Sequence, residues 1–187
     1  MRKHHSALGG VALALALTLS GCGDDDTDPK GQETPSETPS PTPTSTPTPK
    51  TPEEKASTQL TKYLEVRDIA YRKRTIDFKT LNPVATGEEF LELQEAVVDL
   101  TMADVTKTGD YVHTLGEPRN RGSEIVITDC EDRTGVTVKV KGKVRTPDYK
   151  APDGNPLRNP APVEYTLVKD KGVWKVSESD LLWDQPC

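Results

Sequence analysis

Residues 23–51 contain no aliphatic or aromatic side chain, and this stretch limits what the chain can fold into more than any other feature. It opens with an acidic run and continues as threonine alternating with proline, so that eight of the 16 prolines lie between Pro29 and Pro52. Without apolar surface to bury, nothing offsets the conformational entropy that ordering would cost. The stretch therefore predicts a disordered tether over residues 22–51 and confines the globular fold to residues 52–187.

Proline biases such a tether towards an extended form, because it fixes φ and removes backbone donors. At ~3.1 Å per residue, residues 23–51 reach at most ~90 Å. Two interpretations stay open: a plain spacer, or a stalk that is O-glycosylated on its threonines. The acidic run at 24–28 lacks the spaced ligands and the glycine of a calcium loop, so we interpret it as solvated charge.

The N-terminus combines a basic start with a short apolar stretch over residues 7–19. That stretch is too short to cross ~30 Å of hydrocarbon, and its flanks are typical of a secretory signal peptide over residues 1–21. The junction Leu19-Ser20-Gly21-Cys22 resembles the bacterial lipobox, which implies that Cys22 is lipidated and becomes the mature N-terminus. The alternative is an ordinary signal peptide with an unrelated cysteine.

Removal of residues 1–21 leaves 22 basic and 30 acidic residues, a formal charge of −8. Two acyl chains on Cys22 hold a protein stably on a bilayer. We therefore expect a lipid-anchored, extracytoplasmic protein on the outer face of the cell membrane. The acidic excess argues against a nucleic-acid partner, since dedicated binders of nucleic acid show a basic excess.

Only three cysteines and three histidines are present, which excludes zinc fingers and cysteine-cage metal sites on ligand count. If Cys22 carries lipid, Cys130 and Cys187 remain in an oxidising exterior, where paired cysteines normally bridge. We predict a disulfide between these two, and neither a metal nor another cofactor is expected.

Two capping boxes predict the helices of the globular part. Thr51-Pro52-Glu53-Glu54 has threonine at the N-cap, proline at N1 and glutamate at N3, and the apolar spacing after it predicts a helix to about residue 76. A second capping box, Thr86-Gly87-Glu88-Glu89, and the apolar spacing after it predict a second helix over 87–107.

Alternating apolar and polar residues predict strands in the C-terminal half, at 111–115, 124–130, 136–140, 163–168 and 173–177. A hairpin turn is expected at 132–135, and the long loop over 146–160 is a candidate functional segment. Helices followed by strands with tight turns favour an α+β fold, in which two helices pack on a curved antiparallel sheet of four to five strands.

The strand segments Val126-Ile127-Thr128-Asp129-Cys130, Tyr165-Thr166-Leu167 and Gly172-Val173-Trp174-Lys175-Val176 carry a resemblance to a known superfamily. The domain is similar to nuclear-transport-factor-two-like domains, which include ketosteroid isomerases and polyketide cyclases, and most of all to secreted, lipobox-bearing actinobacterial members. The resemblance implies a cone-like sheet around the first helices. It also implies an aspartate and a tyrosine in the cone of the isomerases, for which Asp104, Tyr63 and Tyr71 are conceivable counterparts that no motif assigns.

Few residues suggest catalysis. His113 lies near Asp104 and Asp110 on a predicted strand, and a His/Asp pair can act as a general base. A lone histidine on a strand is more often a packing residue, so no catalytic residue is assigned. The basic end of the first helix is expected to be a solvated face, with anionic lipid headgroups or wall polymers as the alternative partners; it comprises Arg67, Arg72, Lys73, Arg74 and Lys79.

The predicted contact residues are Trp183, Trp174 and Tyr165, with Trp183 the best candidate because it lies in the tail and Trp174 shares a face with the core residue Val176. The favoured function is a non-enzymatic binding or interaction domain, whose partner is an unknown envelope protein or a small apolar ligand. The alternatives are a small enzyme of the isomerase or cyclase type and a structural envelope protein.

Overall fold

A computed structural model describes residues 50–146, 150 and 154–187. The chain divides into two compact units, Met1–Ser45 and Thr46–Cys187. The first unit lies outside the described residues, and so do the expected signal peptide, Cys22 and nearly all of the tether. Everything below concerns the second unit.

From residue 50, where the described part of the chain begins, three helices precede the strands: α1 (Pro52–Lys73), α2 (Phe78–Leu81) and α3 (Gly87–Met102). The capping box at the start of α1 is confirmed, because the Glu54 N–H donates to Thr51 Oγ1 at 3.1 Å and the Thr51 N–H donates to Glu54 Oε2 at 2.8 Å. α1 ends three residues before the predicted end, where Arg74 adopts the left-handed conformation. Within the described ranges, no helix is both long and apolar enough to span a bilayer.

The second capping box and the predicted length of its helix are wrong. The Thr86 N–H donates to the Val176 carbonyl on the sheet, at 2.8 Å, and is therefore not free for Glu89. Glu89 turns inward instead, and Thr86 makes no side-chain cap. The helix ends at Met102 rather than at residue 107, because Asp104 is left-handed and the chain then enters a strand.

Within residues 50–146, 150 and 154–187, eight strands follow, all in antiparallel ladders. They are β1 (Val105–Thr108), β2 (Val112–Leu115), β3 (Arg119–Arg121), β4 (Glu124–Asp132), β5 (Thr137–Val140), β6 (Lys143–Arg145), β7 (Ala161–Asp170) and β8 (Val173–Leu181). One sheet has the order β2-β4-β7-β8, with β3 also on β4, and the other has the order β1-β5-β6. The α+β class is confirmed, while β1, β3 and β6 were not predicted.

The expected hairpin between β4 and β5 is not formed, because residues 133–136 carry the chain from one sheet to the other. The β1–β2 connection makes the same crossing, and the two connections touch. A Cβ at Gly109, which has a φ of +88°, would lie 2.0 Å from the Gly135 carbonyl oxygen. Both connections therefore need glycine.

The core lies between the helices and the inner faces of β4, β7 and β8. Its members are Ala56, Leu60, Tyr63, Leu64, Ala70, Leu81, Val84, Ala85, Leu93, Val97, Ile125, Ile127, Tyr165, Leu167, Trp174 and Val176. Since successive side chains of a strand alternate in direction, Asp129 and Glu131 share the inward face of β4 with Ile125 and Ile127. One strand thus supplies both the apolar core and a buried acidic pair.

A disulfide joins Cys130 on β4 to Cys187 at the end of the chain, with the Cα atoms 5.8 Å apart. The tail from the end of β8 to Cys187 also bonds to the sheet, because the Leu182 N–H donates to the Pro162 carbonyl at 2.9 Å. These contacts hold the segment after β8 against the sheet.

Candidate functional site

A buried guanidinium, that of Arg67, is the centre of a charge network inside the domain. Its Nη1 donates to Tyr165 Oη at 2.6 Å, and its Nη2 donates to Glu131 Oε2 at 2.6 Å and to Asp68 Oδ1 at 3.1 Å. Arg67 is only 7% exposed. A charge removed from water this far is tolerated only when it is paired and hydrogen-bonded, as it is here.

His113 extends the network by bridging two carboxylates. Its Nδ1 lies 2.6 Å from Asp129 Oδ2, and its Nε2 lies 3.1 Å from Asp68 Oδ2. Burial of the imidazole opposes its protonation, but the hydrogen bonds to Asp129 and Asp68 and the charge of Asp129 outweigh burial and raise the pKa of His113 to about 9. At neutral pH the ring is therefore an imidazolium that donates from both nitrogens.

The helical part of the network follows from the spacing along α1. Leu60 and Leu64 face the core, and Arg67 lies seven and three residues after them on the same stripe. The expectation that Arg67 belongs to a solvated basic face is therefore wrong. The spacing from Leu60 and Leu64 places residue 67 on the buried face, but a charged side chain is ordinarily expected to be exposed.

The strand part follows from alternation and register. Asp129 and Glu131 continue the inward face of β4, and His113 on β2 lies directly opposite Glu131. Cross-strand partners share a face, so the pairing brings His113 to the acidic end of that face. Asp68, Asp129 and Glu131 were not singled out from the sequence, although the alternation after Ile127 was visible there.

Aromatic rings and a lysine flank the guanidinium. The Arg67 Cζ lies 5.8 Å from the centroid of Tyr71 and 5.6 Å from that of Tyr111, and the Lys107 Nζ lies 4.3 Å from the Tyr71 centroid. These distances suit cation–π contacts. Burial lowers the pKa of the Lys107 ammonium, and the charge of Glu131 partly opposes this.

On the α3 side, the Tyr63 hydroxyl donates to Glu89 Oε1. Burial, with the charge of Glu89, raises the pKa of Tyr63 well above its ordinary value. Tyr63 also packs edge-on against Tyr165, at 6.0 Å between ring centroids. Among the buried side-chain nitrogen and oxygen atoms of the described residues, Glu89 Oε2, Asp129 Oδ1 and Trp174 Nε1 have no hydrogen-bond partner.

Three members of the network have the right chemistry to hold a metal ion. His113, Asp129 and Glu131 each offer a ligand atom, and these atoms lie within 4.8 Å of one another. However, the cations Arg67, His113 and Lys107 already balance the carboxylates of Asp68, Asp129 and Glu131. A metal ion would have to displace the His113 proton and compete with Arg67, so we assign the cluster as an ion-pair network.

A cleft of about 500 Å³ lies beside this network. Its lining residues come from α1 and from the segment entering and forming β2: Thr61, Leu64, Glu65, Asp68, Ile69, Arg72, Asp110, Tyr111, His113 and Leu115. The volume is within the ~300–1,000 Å³ of small-molecule sites. Asp68 and His113 belong to both the network and the cleft, so the buried charges fix two polar groups of its wall.

The structure does not bring the three predicted contact residues into one cavity. Trp174 is 6% exposed and borders a separate groove of about 240 Å³. Tyr165 is fully buried behind Arg67, and Trp183 is half-buried in the tail after β8. None of them lines the cleft beside the network.

His113 also has other partners than expected. Asp104 pairs with Arg74 and Asp110 pairs with Arg72, each at 3.2 Å near the surface.

The long loop over 146–160 lies partly outside the described residues, but Asn159 near its end accepts from the Arg133 N–H at 2.8 Å.

No protein-family model matches this chain, and none of the curated proteins matches it. Among solved structures, it is similar to the intermembrane space region of the chloroplast protein ARC6, at 13% identity and a TM-score of 0.49 over 72% of this chain and 99% of that chain. A five-substitution variant of Rd1NTF2_05 is a weak structural neighbour, at 12% identity and a TM-score of 0.34 over 67% of this chain and 97% of that chain. At these values, neither likeness supports a functional assignment.

Proposed function

We propose that this chain is a lipid-anchored, extracytoplasmic binding protein that holds a small amphipathic ligand in the cleft between α1 and β2. The observation that carries the proposal is the position of Asp68 and His113, which buried partners hold in place on the wall of a cleft of small-molecule size. Leu64, Ile69 and Leu115 supply apolar surface beside them. A ligand with one polar end and an apolar body matches this wall.

Preorganisation is the physical reason for favouring binding. Asp68 and His113 are oriented before a ligand arrives, so little side-chain entropy is lost when it binds. Their orientation depends on Arg67 and Asp129, which lie behind the wall. The network therefore stabilises the fold and shapes the cleft at the same time.

The geometry disfavours a role for His113 as a general base. Both ring nitrogens face carboxylates, and a general base needs a free lone pair directed at substrate. A small enzyme of the isomerase or cyclase type remains the second candidate, because His113 and Asp68 do line a polar cleft. Chemical conversion of a bound ligand, lost in His113→Gln at unchanged affinity, would favour this second candidate.

The cleft is tested with 8-anilinonaphthalene-1-sulfonate, an amphipathic fluorescent probe. We expect Ile69→Glu, on the cleft wall and 43% exposed, to weaken probe binding about tenfold or more, because it places a charge on the apolar surface. The matched control is Leu91→Glu, also on a helix and 64% exposed but outside the cleft. If Leu91→Glu weakens binding and Ile69→Glu does not, the cleft is not the binding site.

The anchor is tested separately, and its support is the Leu19-Ser20-Gly21-Cys22 motif. Intact mass spectrometry of membrane-extracted protein should find the mature chain starting at Cys22 with an acyl addition. Cys22→Ala should lack that addition. Wild-type protein without acyl mass would refute the anchor and leave the cleft proposal standing.

A further inference from the structure

The β5–β6 hairpin, residues 137–145, is a concentrated basic surface on an acidic chain. It carries Lys139, Lys141, Lys143 and Arg145, all exposed, and no acidic residue. The chain as a whole has a formal charge of −6. The positive charge is thus local rather than a property of the composition.

The backbone holds these cations close together. Val138 pairs with Arg145, Lys139 with Val144, and Val140 with Lys143. Lys141 and Gly142 form a two-residue turn with φ of 49° and 74°, the positive values typical of tight hairpins. Because cross-strand partners share a face and side chains alternate along a strand, Lys139 projects from one face of the hairpin, Lys143 and Arg145 project from the other, and Lys141 lies at the tip.

The four cations have no ionic partner within the part of the chain that the structure describes. By contrast, Arg72, Arg74 and Lys175 lie 3.2, 3.2 and 2.6 Å from carboxylate oxygens. Val144, between two of the cations, is 66% exposed. Val144 shares its face of the hairpin with Lys139, and interfacial membrane segments likewise combine basic side chains with exposed apolar ones.

We propose that the β5–β6 hairpin docks on the anionic headgroups of a lipid bilayer. The inference rests on the proposed function, because the anchor at Cys22 would keep the domain within the ~90 Å reach of its tether to the bilayer. Each basic side chain near an anionic surface adds attraction, and four on one hairpin act together. Docking adds a second, salt-sensitive contact to the lipid anchor.

The test uses the unit Thr46–Cys187, which has its own core and disulfide and lacks Cys22. It is mixed with vesicles of phosphatidylcholine alone or of phosphatidylcholine with phosphatidylglycerol, and binding is measured by co-sedimentation at low and high salt. We expect binding only to the anionic vesicles, weakened by salt. The combined change Lys139→Gln, Lys141→Gln, Lys143→Gln and Arg145→Gln should reduce the affinity about tenfold or more.

A matched control removes the same charge elsewhere. Lys55, Lys62, Lys73 and Lys79 are exposed on α1 and α2, and changing all four to glutamine should leave most of the vesicle binding. Equal loss in both variants would overturn the proposal by showing a non-specific charge effect. Absence of wild-type binding, or binding to polyglutamate without binding to vesicles, would also overturn it. Because Cys22 is absent, each of these results is independent of whether the anchor exists.

Discussion

At the scale of single residues, the charge of His113 depends on two carboxylates that are distant in sequence. Asp68 lies 45 residues before it and Asp129 lies 16 residues after it. Arg67 is held in the same way, by Tyr165 98 residues away and by Glu131 64 residues away. These charges are therefore properties of the folded state, and the pH and mutational responses of the domain should report on them.

The stability of the domain should fall between about pH 6.5 and 9. The pKa of His113 is about 9 in the folded chain against 6.5 ordinarily, so the stabilisation is complete below 6.5 and is lost as pH rises through 9. The expected loss is on the order of 2–3 kcal/mol. Guanidinium unfolding across this pH range measures it. His113→Gln should remove the pH-dependent part, and a wild-type curve that stays flat would contradict the assigned network.

Glu131→Gln should destabilise the domain by about 3 kcal/mol, because it removes the shorter of the two carboxylate contacts of the buried Arg67 and leaves only Asp68 to pair with it. Glu124→Gln is the matched control, since Glu124 is half-buried at the start of the same strand. This change should alter the free energy of unfolding by no more than ~0.5 kcal/mol. Urea unfolding of both variants makes the comparison. Similar losses would show that the Arg67–Glu131 pair adds nothing.

At the scale of elements, two capping motifs that share threonine at the N-cap and glutamate at N3 have different outcomes. Thr51 completes its box, whereas Thr86 does not, because β8 takes its N–H. Thr51→Ala should therefore cost about 1 kcal/mol, and Thr86→Ala should cost much less. Thermal unfolding of the two variants is the measurement. Equal destabilisation would mean that the Thr86 side chain contributes through a contact other than capping.

At the scale of the whole molecule, the disulfide closes a loop with a sequence separation of 57 residues. On the loop-entropy model, such closure stabilises the domain by about 4 kcal/mol. The double change Cys130→Ala and Cys187→Ala should therefore lower the unfolding midpoint strongly, and a reducing agent should lower that of the wild type. Peptide mapping without reduction checks the pairing, and free thiols at both positions would refute it.

The helices and strands were largely predictable, because their signals are local. Capping residues, periodicity and alternation act within a few positions, so the sequence predicts α1, α3, β2, β4, β5, β7 and β8. The division of the strands between two sheets was not predictable, because the sequence after β4 resembles that of a hairpin turn. The strand pairing shows that the chain crosses between the sheets there, and the close approach of Gly109 and Gly135 shows that the two crossing connections touch.

The sequence by itself determined the α+β class, the limits of the apolar core and the expectation of an anchor and tether, because each depends on neighbouring residues or on composition. The tertiary structure alone decided that Arg67 is buried and that His113 carries its charge. It also decided that Trp183, Trp174 and Tyr165 do not share a cavity. The physical reason is that a buried charge is stabilised by partners, and these partners lie on different elements that only packing brings together.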